Sequence, residues 1–274
     1  MTLAAVGQIC STDSMVHNLA QCRILIQKAA ATGAQALFLP EASDYIASSP
    51  SETISLARSV SESEFVRGIQ DEVRKFKLPV HVGIHEPAQD EKVKNTLIWI
   101  DEGGRIQHRY QKIHLFDVDI KGGPVLKESR SVEKGMSMPL PFHTPVGRVG
   151  PTICFDLRFP EIGLALRRKN AEIITFPSAF TIPTGQAHWE ILIRARAIET
   201  QSYVIAAAQV GPHNEKRSSY GHSMIVSPWG EILAELDKVG GEPQIATANI
   251  DLGLLHKVRS EMPLLRRNDL YAEV

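Results

Sequence analysis

The fold is decided by the stretch VGPTICFDLRFPE, residues Val149–Glu161. Its apolar first part, up to Ile153, is typical of a buried strand, and Pro160 favours a helix over Pro160–Arg168. A strand that leads into a helix is a unit of an open α/β sheet, whose ligand crevices lie at the carboxyl ends of the strands. Cys154 is therefore predicted at such an end, presented to a crevice.

Cys154 is the candidate nucleophile of this sequence. A helix N-terminus close to a thiol favours the thiolate, which is the nucleophilic form of cysteine. The alternative from this segment alone is a structural cysteine in the core, because free cysteines are among the most buried residues. A partner for the thiol is needed to choose between them.

Composition narrows the setting. The 274 residues include 30 Lys and Arg against 31 Asp and Glu, so the strong positive field needed for nucleic-acid binding is missing. No window reaches the ~18 apolar residues of a membrane span, and the amino-terminal run leaves no room for a targeting segment. Three cysteines make neither a disulfide framework nor CxxC metal clips, which favours a reducing compartment. We expect a cytoplasmic protein without nucleic-acid or membrane partners, with a mitochondrial fraction left open.

Short apolar runs alternate with amphipathic stretches, without a linker or a composition shift. The pattern predicts one α/β domain over residues 1–274, with a mixed sheet or two sheets covered by helices. The segment between Lys121 and Gly147 lacks periodicity and is either the rim of a site or a surface excursion. Besides Pro160–Arg168, the predicted helices are Met15–Ala31, Glu62–Lys77 and Trp189–Thr200; the predicted strands are Leu3–Ile9, Ala36–Leu39, Val80–Ile84, Asn95–Ile100, Arg105–Tyr110, Val149–Ile153, Ile173–Phe176, Val204–Gln209, His222–Val226 and Ile245–Ile250.

Two further residues suit the chemistry of a thiol nucleophile. Glu41 follows the apolar run Leu37–Pro40, so it also lies past the carboxyl end of a predicted strand. A carboxylate whose pKa desolvation raises toward neutrality can take a proton from Cys154, although a turn cap is the alternative role. Lys112 ends another strand, where an ammonium can stabilise a developing oxyanion or simply be solvated.

Together, LPEA around Glu41, YQKIHLFD around Lys112 and CFDLRFPE from Cys154 resemble the Glu-Lys-Cys triad of the nitrilase, or carbon–nitrogen hydrolase, superfamily. The resemblance runs from about Leu3 to Arg267. The stretches AHWE, RARAIETQ and YGHSM, within residues 187–224, are most similar to the deaminated glutathione amidase branch. The resemblance implies a four-layer α-β-β-α sandwich that pairs with a second copy into a homodimer or higher oligomer.

Roles follow from the resemblance residue by residue. Cys154 is expected to be the nucleophile, Glu41 the general base and later acid, and Lys112 the oxyanion stabiliser together with the Phe155 amide. Glu128 matches a second acidic residue, which would orient Lys112 or the attacking water. The alternative for Glu128 is a solvated loop carboxylate.

Substrate contacts are less determined by the sequence. Arg158 can bind a substrate carboxylate through two hydrogen bonds, or it can pair with Asp156 or Glu161. His188 and Trp189 are expected to line the pocket, with core packing as the alternative for Trp189. His81 and His85 share a strand face without a ligand set around them, so no metal and no cofactor is predicted.

The expected reaction is hydrolysis of a linear amide through a cysteine thioester. The resemblance implies an amide substrate that carries a carboxylate, with deaminated glutathione cleaved to 2-oxoglutarate and cysteinylglycine. Two alternatives stay open: an omega-amidase acting on 2-oxoglutaramate, and a non-catalytic scaffold with the same fold. An intact set of three catalytic residues argues against a scaffold, which has no use for all of them.

Overall fold

The computed structural model describes residues 1–119, 125–237 and 241–272. Helices separate the first strands, and two longer series of consecutive strands follow. The strands are Thr2–Gln8 (β1), Ala36–Phe38 (β2), Val80–Pro87 (β3), Val93–Ile100 (β4), Ile106–Gln111 (β5), Asp117–Asp119 (β6), Val125–Lys127 (β7), Val132–Glu133 (β8), Phe142–Thr144 (β9), Gly147–Pro151 (β10), Ile173–Thr175 (β11), Tyr203–Ala206 (β12), Val210–Asn214 (β13), Arg217–Tyr220 (β14), Met224–Val226 (β15), Ile232–Glu235 (β16) and Gln244–Ile250 (β17); the helices are Met15–Ala31 (α1), Pro50–Leu56 (α2), Glu64–Phe76 (α3), Pro160–Arg168 (α4), Ile182–Thr200 (α5) and Leu252–Glu261 (α6).

Two mixed sheets form the centre of the molecule. Within the described residues, the first has strand order β17-β1-β2-β3-β4-β5, with β8 paired to β4, and the second has order β16-β15-β12-β11-β10-β9. Strands β1, β2 and β3 are parallel, as are β10, β11 and β12. Parallel strands are normally buried on both faces, which is why they read as continuous apolar runs in the sequence.

Three apolar clusters separate the layers. One joins α1 and α3 to the first sheet, through residues such as Cys22, Phe65 and Val82. A second lies between the two sheets, and a third joins the second sheet to α4 and α5. The order of layers is therefore α-β-β-α, and the fold expected from the resemblance is confirmed.

The sheets bring several strand ends to one place. Glu41 follows β2 by way of Leu39 and Pro40, Lys112 directly follows β5, and Cys154 lies three residues beyond β10. A short 3₁₀ helix, Cys154–Arg158, separates the cysteine from α4. The sequence prediction of a strand followed directly by a helix therefore missed this extra turn.

Some element boundaries differ from the prediction. Helix α5 begins at Ile182 rather than Trp189, because Pro183 occupies its first turn, where a missing N–H costs nothing. Strands β3 and β4 form a long antiparallel pair, from Val80 opposite Ile100 to Pro87 opposite Val93. Part of the aperiodic segment falls at 120–124, outside the described residues, and the rest holds short strands and a 3₁₀ turn at Glu128–Arg130. Among the described residues, no helix is long and apolar enough to cross a membrane.

Candidate active site

Glu41 is buried at the end of β2, and each of its carboxylate oxygens has its own partners. Oε1 accepts hydrogen bonds from Lys112 Nζ at 2.9 Å and from Asn95 Nδ2 at 2.8 Å. Oε2 accepts the backbone N–H of Ala179 at 2.9 Å. The carboxylate therefore connects the first sheet to the loop that follows β11 in the second.

Lys112 lies between two carboxylates. Its ammonium is 2.9 Å from Glu41 Oε1 and 2.9 Å from Glu128 Oε2, and its side chain is 2% exposed. Burial lowers the pKa of Lys112, but Glu128, Glu41 and Cys154 raise it more, so it lies well above its ordinary value. Lys112 is therefore a permanent positive charge at this site.

Cys154 begins the 3₁₀ turn with a φ of 45°, a left-handed conformation rarely adopted by residues other than glycine. Its N–H donates to Pro177 O at 2.9 Å, which fixes the turn against the loop after β11. The residue is 8% exposed, so it is less open than the sequence suggested. Backbone strain of this kind concentrates at functional sites.

The pKa of the Cys154 thiol is raised by burial and by the neighbouring Glu41 carboxylate, against the opposing effect of Lys112. These surroundings favour the neutral thiol of Cys154, whereas the sequence predicted that a nearby helix end favours the thiolate. Along the chain, helix α4 starts six residues later, at Pro160. Attack by the sulfur then requires transfer of the thiol proton to a base.

The pKa of Glu41 also differs from the prediction. Burial raises it, as expected, but the Lys112 ammonium and hydrogen bonds from Lys112, the Cys154 thiol and Asn95 outweigh burial. The net result is a pKa below the ordinary value. Glu41 is therefore ionised beside the Cys154 thiol, as a base for that thiol must be.

Comparisons with known proteins show which family this chain belongs to. Residues 3–260 match the model of the carbon–nitrogen hydrolase family. The chain belongs to the carbon–nitrogen hydrolase family. Its chemistry is the hydrolysis of a carbon–nitrogen bond. It is 50% identical to a probable hydrolase nit2 of Schizosaccharomyces pombe, over the whole of both chains. It is 44% identical to the deaminated glutathione amidase of Bos taurus, over the whole of this chain and 84% of that one.

Solved structures place the same fold in this family. The NitFhit protein of C. elegans superposes with a TM-score of 0.92 at 39% identity, over 99% of this chain and 66% of that one. Nit3 of Saccharomyces cerevisiae superposes with a TM-score of 0.83 at 28% identity, over 97% and 96% of the two chains.

The Asp156 carboxylate holds the 3₁₀ turn that carries Cys154. Asp156 is fully buried, and its Oδ2 accepts Ile153 N–H at 2.9 Å and the Tyr110 hydroxyl at 2.7 Å. Its Oδ1 accepts the His114 N–H and lies 2.7 Å from His114 Nδ1. These bonds tie the turn that carries Cys154 to β5 and to the segment after Lys112.

The sequence did not lead us to predict Asn95 and Asp156 as residues of the site. Asn95 is polar and buried on β4, a strand whose following residues are largely apolar. A polar residue inside a strand with many apolar neighbours is unusual enough to mark a buried hydrogen-bond partner. That signal was present in the sequence. The signal for Asp156 was weaker, because an acidic residue near a predicted helix start is ordinary.

The pocket in front of Cys154 is small and largely aromatic. The Phe116 and Phe155 rings meet edge to face at 5.1 Å on one side. Arg158 is half-buried there, with its guanidinium 5.7 Å from the centre of the Phe180 ring. The residues that line the pocket are Phe116, Cys154, Phe155, Arg158, Ala179, Phe180, Thr181 and Thr184.

Arg158 does not pair with either acidic residue considered from the sequence. Asp156 is committed to Tyr110 and His114, and no ion pair joins Arg158 to Glu161. The Arg158 guanidinium instead lies 3.0 Å from His188 Nδ1. The positive charge of Arg158 is therefore available to a ligand in the pocket.

His188 and Trp189 occupy different positions. His188 contacts Arg158 and so borders the pocket through that residue. Trp189 is 1% exposed, packs against Phe180 with ring centres 4.9 Å apart and donates its indole N–H to His222 O. The core-packing alternative therefore describes Trp189, and its predicted contact with substrate finds no support in its position. Within the described ranges, no three His, Cys, Asp or Glu residues converge as metal ligands.

Proposed function

We propose that this hydrolase is a cysteine amidase that cleaves deaminated glutathione into 2-oxoglutarate and cysteinylglycine. The observation that carries the proposal is the convergence of Cys154, Glu41 and Lys112 in one buried, hydrogen-bonded cluster. The substrate comes from the relatives: deaminated glutathione amidases of Bos taurus and Homo sapiens are 44% and 43% identical over the whole of this chain.

In the first step, Glu41 takes the proton of the Cys154 thiol as the sulfur attacks the amide carbon. The raised pKa of the thiol makes this transfer necessary. The carbonyl oxygen becomes an oxyanion, which the Lys112 ammonium and the Phe155 N–H stabilise. Lys112 suits this role because its charge is permanent and its side chain is held by two carboxylates.

In the second step, Glu41 returns the proton to the departing amine, the carbon–nitrogen bond breaks, and a thioester remains on Cys154. Glu41 then deprotonates a water molecule that attacks the thioester and releases the carboxylic acid and the thiol. Glu128 holds Lys112 throughout the cycle, through hydrogen bonds from Nζ to both of its carboxylate oxygens. Its second contact, from the Phe116 N–H at 2.6 Å, fixes the pocket wall to the same carboxylate.

Arg158 is the proposed anchor of the substrate carboxylate. It lines the pocket with Cys154, and its guanidinium forms no ion pair with a carboxylate of the described residues. The Thr181 and Thr184 side chains lie in the same pocket wall. A 2-oxoacid with a carboxylate at one end would place its amide at the thiol and its charge at Arg158.

Product analysis tests the substrate assignment. Purified protein is supplied with deaminated glutathione and with 2-oxoglutaramate in separate reactions, and kcat/KM is measured from cysteinylglycine and ammonia release. We expect the higher kcat/KM with deaminated glutathione. Equal or faster ammonia release from 2-oxoglutaramate would assign the protein as an omega-amidase instead.

Replacement of the nucleophile tests whether the protein is an enzyme at all. Cys154→Ala is expected to abolish turnover while the circular dichroism spectrum stays unchanged. The matched control is Cys10→Ala, because Cys10 is a free cysteine outside the pocket. A scaffold role would be supported if the wild-type protein turned over no amide in a broad panel and alkylation of Cys154 left its biological role intact.

The assembly and location are also proposals. A homodimer is supported by large apolar side chains on one exposed face: Ile191 is 70% and Ile198 46% exposed, seven residues apart on α5, and Trp229 nearby in the fold is 63% exposed. Sedimentation at micromolar concentration should give twice the chain mass.

A cytoplasmic location is supported by three cysteines that are all free. Fractionation of cells against mitochondrial markers tests it.

A further inference from the structure

Asn95 stands at the centre of the buried charge cluster. It is 3% exposed, and its Nδ2 lies 2.8 Å from Glu41 Oε1 and 3.3 Å from Glu128 Oε1. Lys112 Nζ donates to the same two oxygens, at 2.9 and 3.1 Å. One charged and one neutral donor therefore bridge the two carboxylates.

The charges of the cluster show why a neutral donor is useful. Two carboxylates face one ammonium, so the cluster of Glu41, Glu128 and Lys112 carries one excess negative charge next to the neutral Cys154 thiol. A buried carboxylate with too few donors takes up a proton instead of remaining ionised. An amide N–H supplies a donor without adding a second positive charge.

Asn95 also distinguishes the two oxygens of Glu41. Oε1 already accepts hydrogen bonds from Lys112 and Asn95. Apart from the Cys154 thiol, the described residues provide Oε2 with one donor, the Ala179 N–H. The oxygen with spare acceptor capacity is therefore Oε2, which lies on the side of Ala179, a residue that lines the Cys154 pocket.

We propose that Asn95 is a positioning residue that occupies Glu41 Oε1, keeps Glu41 ionised beside Glu128, and directs proton exchange with Cys154 to Oε2. This inference rests on the proposed role of Glu41 as the base for Cys154. The hydrogen bond from Asn95 also contributes to the low pKa of Glu41.

Two variants and one control test the proposal in the full-length protein. Asn95→Asp keeps the shape of the side chain and puts a carboxylate where the donor was, and Asn95→Ala removes the donor alone. The control is Thr96→Val, the next residue on β4, which is buried and whose hydroxyl has no hydrogen-bond partner in the described residues. Each protein is alkylated with iodoacetamide over a range of pH, and modification of the Cys154 peptide is followed by mass spectrometry.

The acid limb is the part of the profile in which the rate of Cys154 alkylation falls as the pH is lowered. It reports the ionisation of Glu41, which also faces Lys112 and Glu128. We expect that limb to move up by about one pH unit in Asn95→Ala, since a hydrogen bond to a charged group is lost. Asn95→Asp should move it further in the same direction, and Thr96→Val should leave it unchanged. The limb of kcat/KM for the amide should move in parallel.

An acid limb that stays in place in Asn95→Ala, with only the stability reduced, would assign Asn95 a structural role and overturn the proposal. Asn95→Gln, which keeps an amide donor, should recover part of the shift; a Gln variant that behaves like Ala would count against the hydrogen bond as the cause. If the wild-type protein hydrolyses no amide, the proposed function fails, while the alkylation profiles still decide the role of Asn95.

Discussion

At the scale of single residues, the site depends on one buried cation between a buried anion, Glu41, and a partly buried one, Glu128. Replacing one partner of a buried ion pair is more damaging than replacing an exposed one, because the remaining charge stays desolvated. Lys112 therefore contributes to both stability and chemistry. Its two partners, Glu41 and Glu128, are 87 residues apart in the sequence.

Lys112→Ala tests the oxyanion role. We expect kcat to fall by about a hundredfold or more, as when an oxyanion donor is removed from other enzymes. The pKa of Glu41 should rise as well, because its largest lowering influence is lost. Steady-state kinetics are normalised to the folded fraction measured by circular dichroism, and Lys134→Ala, an exposed lysine, serves as the control. A kcat within a few-fold of the wild-type value would rule out Lys112 as the main oxyanion stabiliser.

At the scale of elements, a close approach between β3 and the turn after β2 places the base. A Cβ on Gly83 would lie 2.6 Å from Glu41 Cα and 2.8 Å from Pro40 O, and both are backbone atoms that cannot rotate away. The Gly83 N–H also donates to Pro40 O at 3.1 Å. Strand β3 therefore fixes the backbone of Glu41 directly.

Gly83→Ala should move that backbone. We expect a loss of about 1–3 kcal/mol in the free energy of unfolding, typical of overpacking, and a large fall in kcat because Glu41 shifts away from Cys154. Gly163→Ala on α4 is the comparison, since its Cβ would meet only the Thr200 and Arg196 side chains, at 3.3 and 3.7 Å. Urea unfolding and kinetics are measured for both. Unchanged activity in Gly83→Ala would show that the contact does not position the base.

The elements also show how far sequence can predict this molecule. Helix α1 is predicted with its observed limits, because apolar spacing is a local signal. Motifs predict the three residues of the triad, but they do not predict the low pKa of Glu41 or the contacts of Asn95. Both depend on contacts between residues 41, 95, 112 and 128, and spacing along the chain does not record such contacts. Trp189 is expected from the sequence to line the pocket, and its burial against Phe180 likewise depends on contacts that spacing does not record.

At the scale of the whole molecule, the two sheets share one apolar layer, and we propose that residues 1–274 form a single domain that unfolds in one transition. His81 lies in this layer, 1% exposed, with Phe38, Trp99 and Phe142 around it at ring-centre distances of 5.4, 6.1 and 6.5 Å. Neither ring nitrogen has a hydrogen-bond partner in the described residues. Burial lowers the pKa of His81 to about 3.

His81 should therefore make the fold sensitive to mild acid. The unfolded chain binds a proton at His81 below its ordinary pKa of about 6.5, whereas the folded chain does so only near 3. The contribution to stability is complete above pH 6.5 and is lost as the pH falls, at about 1.4 kcal/mol per pH unit below 6.5. His81→Phe should reduce the fall in the free energy of unfolding between pH 7 and pH 5, measured by urea titration. His17→Gln, at an exposed histidine on α1, should leave it unchanged, and an equal fall in all three proteins would show that His81 is not the titrating group.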